Sequence, residues 1–147
     1  MVGGNSNFAF LQKLEPEVYR LGLLAERYFV EDPNTCQLKL RQLAELTAQL
    51  TASHFGLLVE PSDNFADILR RLKFECSLPR EVGELFHSLR IAGNQAAHGS
   101  ADDHAGALTG LKLARHLTSG ICEPFTIQRT SLVHSFHLHV QRTRARR

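Results

Sequence analysis

The chain has 147 residues, 43% of them hydrophobic and 22% charged, which suits one globular domain with a real core. No apolar run approaches the ~18–20 residues needed to cross a bilayer, and the N-terminus lacks the pattern of a signal peptide. A cytoplasmic setting without membrane contact is therefore expected. The net charge of +2 hides an asymmetry: after Glu123 there are five arginines and no acid, leaving twelve basic against fifteen acidic residues in the body. The body is not a basic nucleic-acid-binding surface, and the basic character belongs to the tail.

Residues 1–7, "MVGGNSN", read as disordered. The first helix starts at Pro16, which suits a first helical position, and repeats apolar residues at 18, 21, 24, 25 and 28. A second helix opens at Asp32-Pro33 and closes at Gly56, with apolar or small residues at 36, 40, 43, 46, 47 and 50. Its length makes it the central partner of the first. Asp63 or Asn64 can cap a third helix with apolar positions 65, 68, 69 and 72. Pro79 opens a fourth that ends at Gly99, and "ADDHAGALTGLKLARHLTSG" supplies a fifth. No alternating strand pattern precedes residue 124, so the fold class is all-α, an antiparallel helical bundle.

Beyond it, Phe136, Leu138 and Val140 alternate with polar residues at strand spacing, which puts His137 and His139 on one face. Two histidines without a third ligand do not make a metal site, and neither metal nor cofactor is expected. Cys36, Cys76 and Cys122 form no CxxC pair and read as reduced thiols, not as a disulfide framework or zinc knuckle.

The stretch "RIAGNQAAHG" carries the chemistry. At 100° per residue, Val82, Leu85, Phe86, Leu89, Gly93, Ala96 and Ala97 share one side of the fourth helix. From the centre of that side Arg90 lies about 75° away, Asn94 about 115° and His98 about 155°, so the three form a ridge running onto the accessible flank. Gly93 points inward, where a bare backbone admits a close neighbour. Glycine costs ~1 kcal/mol in a helix relative to alanine, so a packing role is required. A histidine can move a proton near neutral pH, an arginine can neutralise a phosphate, and an asparagine can orient either. RNA would supply its own 2′-hydroxyl nucleophile.

The plainer alternative pairs Arg90 with Glu84 or Glu45, bonds Asn94 across helices and uses His98 as a C-terminal cap. Arg41 and Glu45, at i and i+4, could face the ridge across the bundle, though such pairs are more often salt bridges worth a few tenths of a kcal/mol. Arg70, Arg71 and Lys73 read as a solvated run.

The segments "LAERYFVEDPNTCQLKLRQLAELTAQL", "LPREVGELFHSLRIAGNQAAH" and "ALTGLKLARHL" resemble the HEPN-like helical domain at the N-terminus of type I restriction enzyme R subunits and related DEAD/DEAH-box helicases. The resemblance covers roughly residues 8–117. It implies a HEPN-like bundle over 8–120, with a basic tail of uncertain structure over 121–147, and a parent protein in which nuclease and motor domains follow. HEPN domains commonly carry an arginine, a polar residue and then a histidine, and many are metal-independent RNases. Asn94 matches the polar residue and His98 the histidine. Gly93 stands where the RNase branch has its arginine, and Arg90 lies one turn too early.

The resemblance therefore implies a non-catalytic restriction-modification module, acting in assembly with other subunits or in DNA or RNA contact through Arg90, Asn94, His98 and the tail residues Arg142, Arg144, Arg146 and Arg147. Two alternatives stand beside it: an RNase using His98, Asn94 and Arg90, and a free-standing dimerisation domain that pairs as a homodimer. No phosphate loop, DExH-type box or Asp…Glu-x-Lys nuclease signature occurs in the chain.

Overall fold

The computed structural model describes residues 6–99 and 103–128, with side chains to residue 120. Residues 1–117 form one compact unit and residues 118–147 a second. Among the described residues a single 3-10 turn, Ala9–Leu11, precedes five helices: α1 Pro16–Tyr28, α2 Pro33–His54, α3 Phe65–Glu75, α4 Arg80–His98 and α5 His104–Gln128. The described residues are all helical, with no strand among them. None of the described helices is long and apolar enough to cross a membrane.

Local chemistry sets the boundaries. Pro16 and Pro33 occupy the first positions of α1 and α2, where the missing N–H costs nothing. The Asp32 carboxylate accepts from the Thr35 N–H at 3.1 Å and from its hydroxyl at 2.5 Å, and these bonds hold its carboxyl below the usual carboxylate range. Gly56, at φ 72°, takes the left-handed conformation just beyond the end of α2. Asn64 and Asp67 form a reciprocal capping box at α3. Pro79 precedes α4 as its cap residue, and Gly99 ends it in an extended conformation, not the left-handed one glycine is usually recruited for.

Helix α2 is the spine. It packs against both α1 and α4, with α3 on a smaller area. Two helical partners explain why its buried set, which runs through Pro33, Cys36, Gln37, Leu40, Leu43, Ala44, Thr47, Ala48, Thr51 and Ala52, is wider than the single stripe expected of it. The two buried threonines return their hydroxyls to the carbonyls of Leu43 and Thr47, both at 2.7 Å, so neither is left unsatisfied. Leu40 lies against Gly110, which seats α5 on the same spine. Burial pushes the Cys36 thiol up to about 12, as expected of an inert structural cysteine.

Ser6 donates to Glu26, Phe8 is fully buried against Gly22, and helix α5 continues to Gln128. Two expectations change. Arg71 is half-buried, 3.1 Å from Asp63 and bonded to the Leu58 carbonyl; it pins the loop before α3 where a solvated run was expected. Ala97 is exposed, where helical spacing put it on the packed side. The strand-spaced segment, His137, His139 and the tail arginines lie outside the described residues.

Candidate functional site: the contact of α4 with α2

The packed face of α4 consists of Phe86, Leu89, Gly93 and Ala96. Gly93 faces Arg41 of α2 so closely that a Cβ there would stand 2.4 Å from Arg41 Cβ, 2.7 Å from Cδ and 2.9 Å from Cγ. The aliphatic stem of Arg41 thus lies on bare glycine backbone, which gives the inward glycine its packing role.

The stem delivers a guanidinium to the ridge. Arg41 Nε donates to Asn94 Oδ1 at 2.9 Å, and Nη1 lies 3.5 Å from Glu45 Oε2. On its third side the guanidinium carbon stands 5.9 Å from the centroid of the Phe65 ring. Phe65 is itself buried, meeting Phe86 edge-on at 6.4 Å. Four elements of structure therefore fix one cation: the glycine gap, an asparagine, a carboxylate and an aromatic face. The Arg41 and Glu45 side chains remain 31% and 30% exposed, so water and solutes reach the pair.

The three ridge residues do not share one environment. Asn94 is half-buried and turned to α2, which the cross-helix alternative anticipated. Arg90 Nη2 lies 3.2 Å from His87 Nδ1, and Glu84 and Glu45 are instead taken by Arg80 and Arg41. The Nε of Arg90 is buried with no hydrogen-bond partner among the described residues. His98 is exposed at the end of α4. The carbonyl of the next residue, Gly99, accepts from Asn34 Nδ2 at 3.2 Å, so the end of α4 is tied to the start of α2.

Sequence reasoning allowed that Arg41 and Glu45 could face this ridge but favoured a plain salt bridge; the pair forms that bridge, and Arg41 also reaches the ridge at Asn94. It did not find Arg41 beside Asn94, where Gly93 had left the ridge without a cation. The usable signal was an arginine one turn before a glutamate on the helix expected to meet Gly93. No group of three or more His, Cys, Asp or Glu side chains among the described residues is arranged to hold a metal ion.

An all-helical unit whose spine presents one clamped arginine to a polar ridge defines a class of small helical module. The chain belongs to the family described as domain of unknown function DUF4145, whose model matches residues 24–134. It is also similar to the type I restriction enzyme EcoKI endonuclease subunit of Escherichia coli (strain K12), with 36% identity over 114 residues. That match covers 76% of this chain but only 9% of the relative. No solved structure matches.

Proposed function

We propose that the chain is a non-catalytic, HEPN-like helical module of a type I restriction endonuclease subunit or related helicase, serving in assembly or nucleic-acid contact. The observation that carries this reading is the 36% identity to the EcoKI subunit over a domain-sized stretch. The tie between the end of α4 and the start of α2 suits an antiparallel bundle of that kind. The site chemistry supports contact over cleavage. The cation beside Asn94 is already matched by Glu45, Arg90 is turned to His87, and His98 stands exposed at the end of α4.

The RNase alternative gains one observation, because Arg41 supplies a guanidinium at Asn94 where Gly93 lacks one. Incubating the purified chain with mixed RNA in EDTA, beside His98→Ala, separates the two. No cleavage above the buffer control is the expected result. Cleavage by the wild type that vanishes in His98→Ala would establish the RNase. The loss expected for a missing preorganised group is about 10²–10³ in rate, well within detection.

Non-specific affinity for nucleic acid is a separate expectation, and it falls on the tail. Deleting residues 141–147 removes Arg142, Arg144, Arg146 and Arg147 from a chain whose body is net acidic. Binding to duplex DNA should weaken, and the slope of log affinity against log salt should flatten by up to about 3–4. Survival of both affinity and slope would move the basic surface elsewhere.

A further inference from the structure

We infer that Arg41, Asn94 and Arg90 form a phosphate-binding site for a nucleic-acid backbone, in which Glu45 acts as an internal counter-ion that the phosphate displaces. The inference rests on the nucleic-acid reading above and assigns its residues, with α2 supplying the principal cation.

The argument is an inventory of donors. A guanidinium has five N–H bonds. Among the described residues Arg41 spends one on Asn94 and one on Glu45, the latter at the long distance of 3.5 Å. Three donors remain on a side chain whose stem, ring face and Nε are all fixed. Asn94 uses its oxygen on Arg41, which leaves both N–H bonds of its amide. One turn back on the same ridge, Arg90 keeps a buried Nε–H without an acceptor. A buried donor without a partner is costly, and adjoining turns of one helix bring such groups within about 5–6 Å of each other at Cβ.

These groups ask for an anion with several acceptor oxygens. A phosphodiester fits, because a planar guanidinium binds phosphate through two parallel bonds. The arrangement also explains why a polar fork is built so carefully at a helix contact. A surface ion pair alone needs neither the glycine gap nor the aromatic face, and is worth little in stability. Glu45 occupies the cation in the free protein. Its long contact and 30% exposure let it swing away when a stronger acceptor arrives.

The test uses the full chain, labelled with ¹⁵N, and fluorescent single-stranded RNA, single-stranded DNA and duplex DNA of mixed sequence. The Arg41 Nε–H resonance, assigned by its loss in Arg41→Lys, should shift on titration with at least one of the three probes. Arg41→Gln keeps a stem over Gly93 and should weaken binding to that probe roughly tenfold, while Arg41→Lys restores part of it. Glu45→Gln removes the competing charge and should tighten binding severalfold, the opposite of what loss of a structural salt bridge would do. Thermal melts of each variant identify any change that comes from unfolding, and affinities are compared at temperatures where all are folded.

Binding that leaves the Arg41 resonance unmoved, with affinity unchanged in Arg41→Gln and Glu45→Gln, would overturn the site and leave nucleic-acid contact to other residues such as the tail. Absence of binding to every probe would sink both readings.

Discussion

Replacing Phe86 by alanine should cost about 3–5 kcal/mol of stability, the range for deleting a buried aromatic ring. The side chain is fully buried and meets the edge of Phe65, itself 2% exposed, with Leu89 on the same face of α4. The vacated volume is bounded by helices whose spacing is set elsewhere, at the Gly93 contact and along α1–α2, so it closes only in part. Against a total stability of about 5–15 kcal/mol, such a loss removes a large fraction of what holds the unit together. Urea denaturation should show a lower midpoint with an unchanged slope. A loss below about 1 kcal/mol would mean that the ring is not where the packing requires it. The Arg41 guanidinium lies over the Phe65 ring that Phe86 supports, so the variant should also loosen the site.

Gly93→Leu should destabilise the chain by about 1–3 kcal/mol through overpacking. The size of the effect is set by which atoms would be struck. Arg41 Cγ and Cδ can rotate away, but Cβ is fixed to the α2 backbone and would stand 2.4 Å from the new Cβ. Helices α2 and α4 must therefore part. Even Gly93→Ala should lose stability, although alanine in a helix is intrinsically better than glycine by ~1 kcal/mol. Pairing Gly93→Leu with Arg41→Gly removes the obstructing stem. The double variant should then be more stable than the sum of the two single losses predicts. A melting temperature for Gly93→Ala at or above that of the wild type would deny the contact, and the Arg41 placement with it.

Much of this molecule was legible in its sequence because the deciding physics is local. Helix starts at Pro16, Pro33 and Asn64, and the stop at Gly56, follow from backbone hydrogen bonds and dihedral preferences acting within a few residues. The apolar periodicity of α4 named seven residues for its packed face, of which Phe86, Leu89, Gly93 and Ala96 are buried, Val82 and Leu85 half-buried and Ala97 exposed. Composition alone placed the basic charge beyond Glu123.

Tertiary structure decided the rest. Helical spacing states which way a side chain leaves its own axis, but not how close the neighbouring helix comes. By angle, Asn94 belonged to the accessible flank. In the folded chain α2 seats its Arg41 stem on Gly93, and an arginine that long reaches round to the flank and bonds Asn94 there. Competition among partners also escaped the sequence, since Arg41 took Glu45 and Arg80 took Glu84, leaving Arg90 with His87 and a buried donor unused. The buried width of α2 depended on its having two principal helical neighbours, α1 and α4. Pairing and close approach are properties of two surfaces together, and a single helix's periodicity contains only one of them.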